Sequence, residues 1–326
     1  MHAIVVDAHG GPGVLSYREI EDPVPGDGQV LVAVDVAGVN YIDTYIREGI
    51  YPRPLPLIPG FEGTGTVIDD PSGTIAPGTL VAWCDGFGSY AEKVCVPSDR
   101  LVAVPQGIGP AVAASMLLQG MTAHYLTHGV CRLGPGDSCV ITAGAGGVGL
   151  IATRMATNLG ARVITVVSSD DKEQLSRQAG ADVVLRYGDD LAAQIRDATD
   201  GQGVTVAYDG VGKDTFSQLL ETVAPRGTLC LFGAASGPVD PVDPQLLNSH
   251  GSLFLTRPTL ADYTASAEEF GKRAQAVTRA IVDGEIDIRI GATFPLERAA
   301  DAHRALQSRA TTGSVVLDVT GTLHQR

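Results

Sequence analysis

From Ser138 to Leu255 the chain alternates between two hydrophobic periods. Short apolar runs at Ser138–Thr142, Val163–Val167, Val183–Leu185, Val204–Ala207, Thr228–Phe232 and Leu253–Leu255 read as six strands. Stretches of helical period stand between most of them, at Lys172–Gln178, Leu191–Ala198 and Phe216–Val223, with another at Leu150–Leu159. Gly160, Gly180, Gly201 and Gly227 punctuate the joins. Strands that are apolar at successive positions are buried on both faces, so this alternation predicts a parallel sheet covered by helices, complete between Met121 and about Arg257. The preceding part has another texture. Short alternating runs at Ala3–Val6, Val30–Val36, Gly65–Ile68, Leu80–Trp83 and Glu92–Val96 are separated by prolines and glycines, which predicts a mostly antiparallel, partly closed β domain. A helix over Ala265–Asp283 and a strand over Val315–Val319 follow the sixth parallel strand. They predict that the chain returns to its first domain, dividing it as 1–120, 121–258 and 259–326.

The joint between the first strand of the sheet and the helix after it carries chemistry. It reads Gly144-Ala145-Gly146-Gly147-Val148-Gly149, a G-x-G-x-x-G motif placed where a strand turns into a helix. Such a turn presents backbone N–H groups and the positive end of a helix dipole to a pyrophosphate. Gly144 is expected to permit the turn, Gly146 the approach of the phosphates and Gly149 close packing of the helix. The implied ligand is a dinucleotide.

Composition narrows the classes. The 326 residues are 44% hydrophobic and 18% charged, with a net charge of −14. That charge argues against nucleic-acid and anionic-membrane partners. No apolar run is long enough to span a bilayer, and Met1–Val5 carries no basic, apolar leader. The five cysteines, Cys84, Cys95, Cys131, Cys139 and Cys230, are odd in number and contain no C-x-x-C pair. Reduced thiols in the cytoplasm are the expectation.

Four segments narrow the reading further. Val39-Asn40-Tyr41-Ile42-Asp43-Thr44-Tyr45 with its continuation to Tyr51-Pro52, Leu118–Tyr125, Gly251–Pro258 and Ser308–Ser314 resemble the active-site segment, hinge, last strand and C-terminal segment of the quinone oxidoreductases. These form the zeta-crystallin branch of the medium-chain dehydrogenases/reductases. The resemblance spans nearly the whole chain. It implies an α/β architecture: a GroES-like partly closed β-barrel plus a doubly wound Rossmann domain with a six-stranded parallel sheet. Zinc-dependent relatives carry cysteine and histidine where this chain has Asn40 and Phe61, and no cysteine lies between Ala111 and Tyr125. An amide and a phenyl ring cannot complete a tetrahedral zinc site. A metal-free enzyme is expected, with His124 and His128 read as surface or capping residues.

NAD-preferring sheets of this kind place an acid at the end of the second strand. Here that strand ends in Ser168 and Ser169, and Asp170 with Glu173 fits a helix capping box. Lys172 is positioned for a 2′-phosphate or is a solvated helix lysine. The resemblance implies the former, with Tyr187 and Arg309 assisting, and NADPH is the expected cofactor. It further implies cofactor contacts from Tyr125, Gly147, Val148, Val211, Ser236, Gly237 and Tyr263. A quinone that accepts hydride becomes an oxyanion, and without a metal it requires hydrogen-bond donors. Asn40, Tyr45 and Tyr51 are the candidates. Asn40 as a turn residue, and the tyrosines as packing aromatics that shape the pocket, are the structural alternatives. The apolar edge Leu253–Leu255 predicts a homodimer whose sheets join, unless the C-terminal segment covers it. The expected activity is NADPH-dependent quinone reduction. The alternatives are reduction of an enone or alkenal C=C bond and a non-catalytic NADPH-binding protein.

Overall fold

The computed structural model describes residues 1–323. It comprises two compact units. One contains Met1–Gln119, Ser266–Val282 and the chain from Ile288 onward; the other contains Gly120–Ala265 and Asp283–Asp287. In chain order the strands of the N-terminal part are β1 (His2–Val5), β2 (Ser16–Glu19), β3 (Gln29–Val39), β4 (Glu62–Asp69), β5 (Leu80–Cys84), β6 (Lys93–Pro97) and β7 (Leu101–Ala103). Then follow β8 (Ser138–Ile141), β9 (Arg162–Val167), β10 (Val183–Arg186), β11 (Val204–Asp209), β12 (Val223–Leu231), β13 (Phe254–Thr256), β14 (Ile290–Pro295) and β15 (Ser314–Asp318).

The first unit is built on β3. Its eleven residues pair antiparallel with β4, β6 and β15 in turn, which one strand can do only because it is long and bent. Alternate side chains Val30, Val32 and Val34 enter a core around the fully buried Trp83, whose indole N–H donates to Ser89 Oγ at 2.9 Å. The sheet order is β14-β15-β3-β4-β5-β7, with β6 on β3. The pairing of β15 with β3 brings the C-terminal segment back to the first strands.

The second unit is a six-stranded sheet of order β10-β9-β8-β11-β12-β13, parallel throughout. Val140, Ile164, Val166, Val204 and Leu229 are among its fully buried residues, which explains why these strands read as unbroken apolar runs. The order reverses direction at β8, and ligands bind beyond the carboxyl ends of strands at such a switch point.

Three strands escaped the pattern. β2 is exposed along its length, β7 has three residues, and β14 carries Gly291 and ends on Pro295, so none alternates cleanly. The helix expected to reach Val223 stops at Leu220, and β12 begins at Val223. A bulge absorbs Pro225 and Arg226, the latter at φ 64°, before pairing with β11 resumes at Thr228.

Candidate active site

The glycine motif opens the Gly147–Asn158 helix, with Gly146 as its N-cap. The first-turn N–H groups of Gly147, Val148 and Gly149 have no carbonyl partner within the helix, which makes this turn a cradle for an anion. A Cβ on Gly149 would stand 2.3 Å from the carbonyl oxygen of Ala143, and one on Gly144 would stand 2.6 Å from Thr165 Cβ. The residue that takes the left-handed conformation is Ala143, at φ 51°. Gly144 therefore serves close packing against β9, which corrects its expected role as the turn-former. These clearances fit a dinucleotide pyrophosphate brought against bare backbone.

At the end of β9 the chain reads Ser168-Ser169. Lys172 Nζ donates to Ser168 Oγ at 3.1 Å, and Ser169 caps the Asp170–Ala179 helix by accepting from the Lys172 N–H at 3.4 Å. The cap is thus Ser169, and the expected box from Asp170 to Glu173 does not form. Both carboxylates turn instead to Arg186, each accepting from its Nη2 at 2.7 Å. Tyr187 follows directly, and its hydroxyl accepts from the Ala143 N–H at 2.7 Å. Arg186 and Val167 are register partners, so the sheet delivers Ser168 and Tyr187 to one edge.

The loops after β11 and β12 meet around a side chain that the sequence reading missed. Asp209 is fully buried and accepts from Thr142 Oγ1 (2.8 Å), Thr215 Oγ1 (2.8 Å), Val211 N (2.9 Å) and Gly212 N (3.2 Å). Burial pushes its carboxyl pKa up, against the pull of these bonds. Ser236 closes the same cluster, donating to Val211 O at 2.8 Å, and Lys213 N donates to Gly237 O at 3.2 Å. Tyr125 and Tyr263 stack with ring centroids 4.5 Å apart and planes 11° from parallel. Arg309 belongs to the first unit, at φ 56°, near enough to Tyr41 to oppose the burial-driven rise of its phenol.

In the first unit Asn40 is the N-cap of the Tyr41–Glu48 helix and is buried. Its amide is oriented on both sides. Nδ2 donates to Glu62 Oε1 at 2.7 Å, and Oδ1 accepts from Gln119 Nε2 at 3.1 Å. Gln119 in turn accepts from Ser314 Oγ at 2.7 Å, and Leu118 N donates to Glu62 Oε2 at 3.0 Å. Burial pushes Glu62 up to about 8 and Asp43 to about 7. Gly49 ends the helix at φ 82°, a conformation that favours glycine, and the chain doubles back so that Ile50 and Tyr51 donate to Tyr45 O. That reversal sets the Tyr45 and Tyr51 rings edge to face at 5.7 Å. Tyr51 is partly exposed, at 42%. The proline-rich loop after it contributes Pro54, Pro56, Leu57 and Ile58 to a hollow of about 460 Å³, lined by none of Asn40, Tyr45 or Tyr51.

Behind Asn40 runs a second buried network. Arginine only donates, so Arg47 Nη1 sets His303 Nδ1 as acceptor at 2.9 Å. His303 Nε2 then donates to Tyr90 Oη (3.1 Å), and Tyr90 donates to Asp43 Oδ2 (3.0 Å). Asp43 Oδ2 also accepts the Asn40 N–H at 2.8 Å. Burial, with Arg47 beside it, holds His303 down at about 3, so its ring is neutral. Acids at Asp43 and Glu62 inside apolar surroundings were the signal that could have marked these partners beforehand.

The positions compared with zinc ligands are taken by other interactions. Asn40 is engaged as described, and Phe61 packs edge-on to Phe87 at 5.3 Å. His124 and His128 stack face to face at 4.3 Å, and His128 Nδ1 bonds Thr127 Oγ1 at 2.9 Å. Among the described residues no group of three or more His, Cys, Asp or Glu is placed to hold a metal ion.

Comparison with known proteins gives concordant results. Residues 26–106 match the alcohol dehydrogenase GroES-like domain and residues 147–278 the zinc-binding dehydrogenase family. A quinone oxidoreductase of Pseudomonas aeruginosa is 42% identical over 95% of this chain and 97% of its own. A 2-haloacrylate reductase of a Burkholderia species is 37% identical over 97% of this chain and 98% of its own. A mycobacterial protein solved in complex with NADPH is 48% identical, covers 98% of this chain and 100% of its own, and superposes with a TM-score of 0.96.

Proposed function

Because the chain belongs to the quinone oxidoreductase branch of the medium-chain dehydrogenases/reductases, we propose that it is a metal-free, NADPH-dependent quinone reductase. The observation that carries the cofactor half is the bond from Lys172 to Ser168, at the strand end where an NAD-preferring sheet places an acid. When bound, NADPH supplies a hydride. The first-turn N–H groups of Gly147, Val148 and Gly149 hold the pyrophosphate. Lys172, with Ser168, Ser169 and Tyr187, would hold the 2′-phosphate. Val211, Ser236, Gly237, Tyr125 and Tyr263 complete the cofactor's surroundings. Similarity to a protein solved with NADPH supports the same assignment.

On the substrate side, Asn40 keeps a second amide hydrogen beyond the one given to Glu62, and this donor would serve the developing oxyanion. Tyr45 and Tyr51 flank the quinone. A second reading, reduction of an activated C=C bond, is favoured by the similarity to the 2-haloacrylate reductase. Benzoquinone, phenanthrenequinone and an α,β-unsaturated ketone offered in parallel separate the two. Turnover with the enone alone assigns the protein to C=C reduction.

The assembly we propose is a homodimer joined edge to edge at β13. That strand has one neighbour, β12, among the described residues, and its Phe254 is 64% exposed. All five cysteines are unpaired, which supports a reducing, cytoplasmic compartment.

A further inference from the structure

The first turn of the Asp170–Ala179 helix carries three carboxylates, Asp170, Asp171 and Glu173, around Lys172. Acids in this place serve free ribose hydroxyls and repel a phosphate. Two of the three are tied down. Arg186 Nη2 lies 2.7 Å from Asp170 Oδ1 and 2.7 Å from Glu173 Oε2, and Arg177 donates to the other oxygen of Glu173 at 2.7 Å. Arg186 ends β10 in register with Val167, so its guanidinium reaches the edge from which Ser168 and Ser169 continue. Asp170, Asp171, Glu173, Lys172, Arg177 and Arg186 balance in charge. Without Arg186 the corner is net negative, Asp170 loses this partner, and Glu173 keeps only its pairing with Arg177.

We propose that Arg186 is a specificity-determining residue: by pairing with Asp170 and Glu173 it keeps their charge from opposing Lys172, and so lets this corner accept a nucleotide 2′-phosphate. The proposal rests on the NADPH reading above. Arg186 acts through its neighbours and is a positioning residue. Exposed ion pairs of this kind contribute little to folding, so the effect belongs to ligand discrimination and weakens with salt.

The test is equilibrium binding of NADPH and NADH, with 2′,5′-ADP and 5′-AMP as smaller probes. The proteins are wild type, Arg186→Ala, Arg186→Ala/Asp170→Asn/Glu173→Gln and Lys172→Ala. Arg186→Ala is expected to lower the preference for the 2′-phosphorylated ligand about fivefold, as the net negative charge left at Asp170 and Glu173 repels the dianion. The triple variant is expected to recover the preference to within about twofold, because it removes the charges that Arg186 had paired. High salt should shrink the difference. If Arg186→Ala keeps the wild-type preference, or the triple variant does not recover it, while Lys172→Ala still loses it, the Arg186 role is overturned and the NADPH reading stands. A lower melting temperature with unchanged preference assigns Arg186 to stability alone and also overturns it. If the wild type shows no preference and Lys172→Ala weakens all ligands alike, both fall.

Discussion

Asn40 shows how one side chain can be both structural and reactive. Its amide is held between Glu62 and Gln119, so its rotamer is set before any substrate arrives. Asn40→Ala is expected to lower kcat with quinones by about a hundredfold or more, the scale of losing one oxyanion donor. It should also lower stability by about 1–3 kcal/mol, because Glu62 and Gln119 lose their partner. A melting-temperature drop with unchanged kcat would assign Asn40 to structure alone. The acids behind it make a pH prediction. Glu62 is raised from its ordinary value of 4.5 to about 8 and Asp43 from 3.8 to about 7, both by burial. A carboxyl with a raised folded pKa binds its proton more tightly in the native state. Its contribution to stability is therefore largest below the unfolded value and is lost as pH rises toward the folded value. Stability should fall between about pH 4 and pH 8, by at most about 1.4 kcal/mol per pH unit for each group. Glu62→Gln should flatten the upper part of that slope, and denaturant titrations across the range read it. These residues were only partly legible in the sequence. Asn40, Tyr45 and Tyr51 stand in one local segment, whereas Glu62, Gln119, His303 and Ser314 join it only through pairings distant along the chain.

Among the elements, the turn into the Gly147–Asn158 helix leaves little room for change. Gly149→Ala would place a methyl 2.3 Å from the Ala143 carbonyl oxygen, so the helix must move off the turn. NADPH affinity should fall at least about tenfold, since the N–H cradle loses its geometry, and calorimetric titration of the variant measures this. The strand–helix alternation that encloses this turn was legible because the strands of the parallel sheet centre on short apolar runs and Gly160, Gly180 and Gly201 mark joins between helix and strand. β2, β7 and β14 were not, being exposed, short or interrupted by Gly291 and Pro295. The helix start was misread by one residue because Asp170, Ser169 and Ser168 are all good caps, and only the bond from Lys172 N to Ser169 Oγ decides among them.

For the whole molecule, the open edge at β13 and the choice of electron acceptor are the points that matter. Phe254→Asp places a charge on an edge strand whose side chain is 64% exposed in the single chain. Light scattering should then report a monomer where the wild type is a dimer, with the melting curve little changed. A wild-type monomer would remove the proposed assembly. The central claim is the reaction. NADPH oxidation by the purified protein, followed through loss of the reduced-nicotinamide absorbance with 1,4-benzoquinone as acceptor and NADH as the paired control, tests it most directly. Quinone-dependent turnover that is faster with NADPH than with NADH is the predicted result. NADPH binding without turnover on any quinone would contradict it.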